Sequence, residues 1–307
     1  FDARQRIETI IKSGKGLIYT TIKIKNSEGL YKQYALVYNG MAERDISIIQ
    51  LDTKDINQLK LRFSNIFFTN SEKSLQDEVL NDYGYILNEI LKNIDLNQYV
   101  VVPNEFFTLL PIHMSRVNGT YTYETKQMNY LPNLTYFKEK GEHYDIELGV
   151  YYNTKEENSV KEANLLKKMY NVTLYADPDQ KILETISKHN AIHIVCHHDG
   201  ENVYLGREKL KTQDLLSYFS SKVKFASLNF CNSYHYDDLM NKYSTVSKSI
   251  ASQLIVRGVQ TVLTHNWALG QNASQLFTKK YSTTKLPDQL KQFKPSEYGG
   301  YMYWEGG

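Results

Sequence analysis

The sequence predicts an α/β protein with a mostly parallel central sheet flanked by helices on both faces. Three observations carry this. The second half alternates short apolar strands with amphipathic helices. Capping and stop residues punctuate those helices. No repeat, low-complexity tract or flexible linker interrupts the 307 residues.

The first half reads as mixed α and β. Gly16–Ile24 and Tyr31–Tyr38 are rich in β-branched and aromatic residues, with Asn26–Gly29 between them, a hairpin signature. Helical patterns follow near Lys54–Phe63 and Ser74–Ile94. In the second, Leu75, Val79, Tyr83, Leu87 and Leu91 share one face. Tyr99–Val102 is a short strand stopped by Pro103, and residues 104–144 read as irregular with short strands near 121–130.

The second half has a steadier rhythm. Ile146–Tyr152 is a strand, and Ser159 with Glu162 reads as a capping box opening a helix. Val172–Tyr175 is a strand, and Asp177-Pro178 reads as N-cap and first residue of the next helix. Ala191–Cys196 is a strand, Thr212 caps a helix to Phe219, and Val223–Phe230 is a strand. Val246–Arg257 is an amphipathic helix ended by Gly258, Val259–Thr264 is a strand, and a helix starts near Ala273. The domain expectation is residues 1–14 as an N-terminal helix or the remnant of an upstream region, a first half over 15–140 and a second over 141–307.

Composition excludes several function classes. A net charge of +2 leaves no basic footprint for nucleic acid. No apolar run reaches the roughly 18 residues of a membrane span. Two cysteines, Cys196 and Cys231, cannot build a disulfide framework, so a reducing, cytoplasmic compartment is expected. No Gly-rich phosphate loop follows any strand, which argues against a nucleotide-binding domain.

In an open parallel sheet, ligands sit beyond the carboxyl ends of the strands. Three strand ends carry chemistry here: His197-His198-Asp199 after the first, Cys231-Asn232-Ser233 after the second and His265-Asn266-Trp267 after the third. If the first two strands are neighbours, about 4.8 Å apart, His197 can reach Cys231. A free thiol, with a pKa of about 8.5, is mostly protonated at neutral pH, and a nearby imidazole draws out the reactive thiolate. Cys196 lies inside an apolar strand and reads as inert core. His193 and His197 are four apart in a strand composition, about 13 Å, too far for one metal ion. His193 therefore reads as a hydrogen-bonded core histidine, and neither metal nor cofactor is expected. Strand alternation sets Asn229 on the face of Cys231.

Several segments resemble, in order, the CHAT family of caspase-like cysteine peptidases, relatives of caspases and separase. They are Val100–Pro111, Tyr130–Leu134, Ala191–His197, Ser227–Ser233, Ile250–Gly258 with Val262–Trp267, and Pro295–Gly306. The resemblance covers roughly residues 15–307. It implies a caspase-like α/β sandwich whose first half is degenerate and whose second half is catalytic. It implies a Cys231–His197 dyad, an oxyanion hole from the backbone N–H groups of His198 and Cys231, and substrate contacts from Asn229, Asn266 and Trp267. It also implies a protein substrate, an activating partner or upstream domain, and a role in bacterial antiviral defence. Residues 233–245 stand as a candidate activation segment.

Two departures from the family pattern stand out. His198 occupies the place of a glycine, at a cost of about 1–2 kcal/mol if that position is left-handed. The stretch from Phe277 to Pro295 is short. The competing expectation is a catalytically inactive scaffold of the same fold.

Overall fold

The computed structural model describes residues 2–25, 27–29, 31–67, 73–103, 107, 112–137, 146–199, 202–206, 209–230, 250–265 and 301–305. The chain divides into two compact units, Phe1–Glu139 and Lys140–Gly307.

In the first unit α1 (Ala3–Lys12) is capped by Asp2, whose carboxylate accepts the N–H groups of Arg4 and Gln5. The expected hairpin is present as β1 (Gly16–Lys25) and β2 (Tyr31–Tyr38), paired antiparallel. Gly29 takes the left-handed conformation in its turn, with φ +82°. β3 (Ile46–Leu51), a run that sequence periodicity does not mark, pairs antiparallel with β2. The helices α2 (Thr53–Phe67) and α3 (Lys73–Ile86) pack on one another, and α4 (Asn88–Leu91) is a single further turn. β4 (Gln98–Val102) lies parallel to β1. A small ribbon of β5 (Arg116–Val117) and β6 (Thr120–Tyr121) leads through α5 (Thr122–Thr125) to β7 (Gln127–Tyr130), parallel to β4. The strand order is β3-β2-β1-β4-β7. Ile10 of α1 is buried with Leu17, Val100, Val102 and Phe137, so α1 belongs to this unit's core.

In the second unit β8 (Leu148–Tyr152), α6 (Glu157–Met169) and β9 (Val172–Ala176) form the first crossover. Then come α7 (Gln180–Leu183), β10 (Ala191–Val195), the short strands β11 (His197–His198), β12 (Asn202–Tyr204) and β13 (Leu210–Lys211), and α8 (Thr212–Ser217). β14 (Phe225–Asn229), α9 (Ile250–Val256), β15 (Thr261–His265) and β16 (Tyr301–Glu305) complete it. The order is β9-β8-β10-β14-β15-β16, parallel except for β16. Every residue of β10 and β14 is buried, as central parallel strands require. The face bearing His193 meets α6. The opposite face, bearing Tyr151, meets the turn Glu184–Lys188, where the Tyr151 hydroxyl lies 2.8 Å from Thr185 Oγ1. Helical segments therefore cover both faces, as the sequence pattern predicts.

Three expected caps differ in the structure. α6 begins at Glu157, two residues before Ser159, and Glu162 turns into the core instead of capping. Asp177 takes a left-handed φ of 44°, and Asp179 caps α7 by accepting the Ile182 N–H at 2.8 Å. Thr212 is the first helical residue of α8, not its cap. Gly258 ends α9 with φ +94°, as expected. The start of that helix before Ile250 and the expected helix from Ala273 lie outside the described residues. Among the described residues no helix is long and apolar enough to cross a membrane.

Candidate active site

The chain moves one way from β8 to β9, and then the other way through β10, β14 and β15. The strand order therefore reverses between β8 and β10, and the crevice beyond such a reversal is where α/β sheets bind ligands. β10 and β14 are adjacent and parallel, with Val195 opposite Asn229. His197 and Cys231 each stand two residues beyond that shared step. Cys231 itself, with Asn266, Trp267 and the segment 233–245, lies outside the described residues.

His197 leaves β10 on a small antiparallel ribbon. Its ring is exposed and sits 5.3 Å from that of Tyr204. The Tyr204 hydroxyl donates to Asp199 Oδ2 at 2.6 Å, and this bond to a carboxylate raises the Tyr204 pKa. Asp199 Oδ1 also accepts the Asn202 N–H at 2.8 Å, closing the turn. Asn153, just past β8, donates its amide to the Tyr204 carbonyl at 2.6 Å and ties the ribbon to the sheet.

His198 points inward and is buried. Its Nε2 lies 3.1 Å from Thr212 Oγ1, and its ring is 5.1 Å from that of Phe230. Its backbone is extended rather than left-handed, so a histidine at this position carries no conformational penalty. Antiparallel ladders alternate bonded and non-bonded pairs. The Asp199 N–H donates to the Asn202 carbonyl, which makes His198 and Val203 a non-bonded pair. The His198 N–H is therefore turned away from β12.

Beneath these strand ends lies a buried polar cluster. Glu162 and His193 are 0% and 1% exposed. Glu162 Oε1 lies 2.7 Å from His193 Nε2 and accepts from Asn229 Nδ2 at 2.5 Å. A buried carboxylate is tolerated only with such donors. His193 is thus the hydrogen-bonded core histidine expected. Asn229, which the family resemblance placed on a substrate wall, is buried with its amide on Glu162. Glu162 is the residue the sequence reading misplaced. Its signal is the buried stripe Ser159, Glu162, Ala163 and Leu166, which sets one carboxylate among residues facing the sheet. Cys196 is buried, and His265 closes β15 opposite Tyr301.

No family model matches the chain, and no curated protein does. Among solved structures it is similar to the Arg-specific cysteine proteinase gingipain R, with a TM-score of 0.43 and 10% identity over 82% of this chain and 73% of that one. The complex of Porphyromonas gingivalis RgpB pro- and mature domains scores 0.43 at 9% identity, over 83% and 77%. The Saccharomyces cerevisiae separase–securin complex scores 0.48 at 13% identity, over 84% of this chain and only 20% of that one. These are distant likenesses of chain course.

Proposed function

We propose that the chain is a caspase-like cysteine endopeptidase of the CHAT type, with Cys231 as nucleophile and His197 as its acid–base partner. One observation carries the reading. β10 and β14 are neighbours in a register that ends both strands level, and the residue after His197 packs on the residue before Cys231.

The Cys231 thiolate attacks the scissile carbonyl carbon, and the carbonyl oxygen takes up negative charge. The N–H groups of Cys231 and His198 face that oxyanion; a donor of this kind is worth about 2.7–4 kcal/mol in the transition state. The intermediate collapses with cleavage of the C–N bond, and the His197 imidazolium gives its proton to the leaving amine. His197 then takes a proton from water, whose oxygen attacks the thioester. The C–S bond breaks, the new carboxyl product leaves, and the ion pair is restored. Asn229 is neutral and committed to Glu162, so a strict preference for Arg or Lys before the scissile bond is not expected. Asn266 and Trp267 form a further wall of the substrate site. The substrate is a partner protein in a regulated bacterial defence pathway in the cytoplasm, and a protein partner or upstream domain triggers cleavage.

The test incubates the protein and its Cys231→Ala variant with a proteome and reads new N-termini by mass spectrometry. Termini made only by the wild type establish the peptidase, and a profile dominated by Arg overturns the specificity reading. Cleavage retained by Cys231→Ala overturns the mechanism. Absence of cleavage together with failure of a thiol-reactive peptide probe to label Cys231 leaves the inactive scaffold as the function.

A further inference from the structure

His197 stands on a ribbon whose two faces differ. His198 and its partner Val203 turn inward and are buried. Alternation sets His197 and Asp199 on the opposite face, across from Tyr204 and Asn202. Tyr204 is fastened at two points there. Its hydroxyl donates to Asp199 Oδ2 at 2.6 Å, and its carbonyl accepts the Asn153 amide at 2.6 Å. Both anchors are themselves held. Asp199 also accepts from the N–H and the side-chain amide of Asn202. Asn153 is buried, and its Oδ1 accepts the Lys155 N–H at 2.8 Å. Two residues past Tyr204, a Cβ at Gly206 would fall 2.6 Å from the Pro178 carbonyl oxygen. The strand that carries Tyr204 is thus gripped by the segments that follow β8 and β9. His197 is the opposite case. Its ring is exposed, and an exposed side chain exchanges among staggered rotamers unless a neighbour selects one. That neighbour is the Tyr204 ring, 5.3 Å away and tilted by 45°, within the range of an aromatic contact.

We propose that Tyr204 is a positioning residue for His197: its ring, anchored through Asp199 and Asn153, holds the imidazole in the one orientation that an acid–base partner of Cys231 needs. The inference rests on the peptidase reading and adds the part that keeps the dyad assembled. The imidazole must stay beside the thiolate and then deliver a proton to the leaving amine, and a misplacement of about 1 Å costs about 10²-fold in rate. Asp199, and Lys211 level with Asn202 on β13, are the charged residues that share this ribbon face among the described residues. Replacing Tyr204 leaves both in place.

The test reads Cys231 on the full chain and needs neither substrate nor trigger. Iodoacetamide alkylates the thiolate, and mass spectrometry follows the Cys231 peptide from about pH 5 to about pH 10. In the wild type the imidazolium keeps Cys231 reactive below the usual thiol range, and His197→Ala should abolish that reactivity. Tyr204→Leu, which keeps apolar volume without a ring, should raise the midpoint by about one unit, a loss of about tenfold in rate at about pH 6. Tyr204→Phe keeps the ring and frees Asp199, and should stay within about threefold of the wild type. All variants should converge above about pH 9.5, where the thiol is ionised throughout, which shows that fold and access are intact. Three results overturn the inference alone while His197→Ala still abolishes the low-pH reactivity: Tyr204→Leu matching the wild type, Tyr204→Phe matching Tyr204→Leu, or a Tyr204→Leu rate lowered equally at every pH. A His197→Ala variant that alkylates like the wild type overturns the dyad, and the inference with it.

Discussion

The ring of His198 lies 5.1 Å from that of Phe230, and this contact joins the ribbon that carries His197 to the last described residue before Cys231. The same imidazole holds Thr212 at the start of α8. His198→Ala removes a ring contact worth about 0.5–1.5 kcal/mol and a hydrogen bond worth about 1 kcal/mol. The expected loss of stability is about 1.5–2.5 kcal/mol by urea denaturation, and if the His198 N–H serves the oxyanion hole as proposed, peptide cleavage falls as well. Thr212→Val should cost only the hydrogen-bond share.

The Glu162 cluster makes a second, sharper prediction. Glu162→Ala leaves the Asn229 amide and His193 Nε2 without their carboxylate in a site closed to water. Leaving a buried polar group without its hydrogen-bond partner costs about 1–3 kcal/mol for each group. Glu162→Gln keeps a carbonyl acceptor and should cost less. A double-mutant cycle of Glu162→Ala with Asn229→Leu should be strongly non-additive, because each substitution removes the same bond. Additive losses would show that the two side chains act independently.

The contrast between Glu162 and β10 explains what was legible in the sequence. Ala191–Val195 and Phe225–Asn229 announce themselves because a strand buried on both faces must be apolar throughout, and the segment between them, with its helix from Thr212, is long enough for a parallel crossover. Hence the level ends before His197 and Cys231 were readable in advance. Glu162 was not, because a capping box and a buried partner use the same residue type at the same helical spacing, and only the tertiary contact with His193 decides between them. β3 was missed for a related reason: its outward positions Ile46 and Ile48 are apolar, so the in–out alternation that marks an edge strand is absent.

Gly84 sits inside α3 where the helix backbone touches β5. A Cβ built there would fall on the carbonyl group of Arg116. Two effects oppose one another in Gly84→Ala. Helix propensity favours alanine by about 1 kcal/mol. Overpacking costs about 1–3 kcal/mol and more against backbone, which has no rotamer to yield. The steric term wins, so Gly84→Ala should lower the urea midpoint, whereas an alanine at an exposed helical glycine would raise it.

His113 should make the protein's acid stability measurable at one residue. It is buried with Nδ1 2.8 Å from the Tyr130 hydroxyl, and burial lowers its pKa from 6.5 to about 3. Above pH 6.5 neither the folded nor the unfolded chain protonates it, and it contributes nothing to pH dependence. Between 6.5 and 3 the unfolded chain takes up a proton that the folded chain refuses, so stability falls as the pH falls. At pH 4 the gap is 2.5 units below 6.5, and at about 1.36 kcal/mol per unit the loss is about 3 kcal/mol. His113→Phe removes this group from both states. Its urea midpoint should therefore change less between pH 7 and pH 4 than that of the wild type, whatever its stability at pH 7. Parallel curves for the two proteins would mean that His113 is protonated in the folded state, and that its burial is not what disfavours the charge.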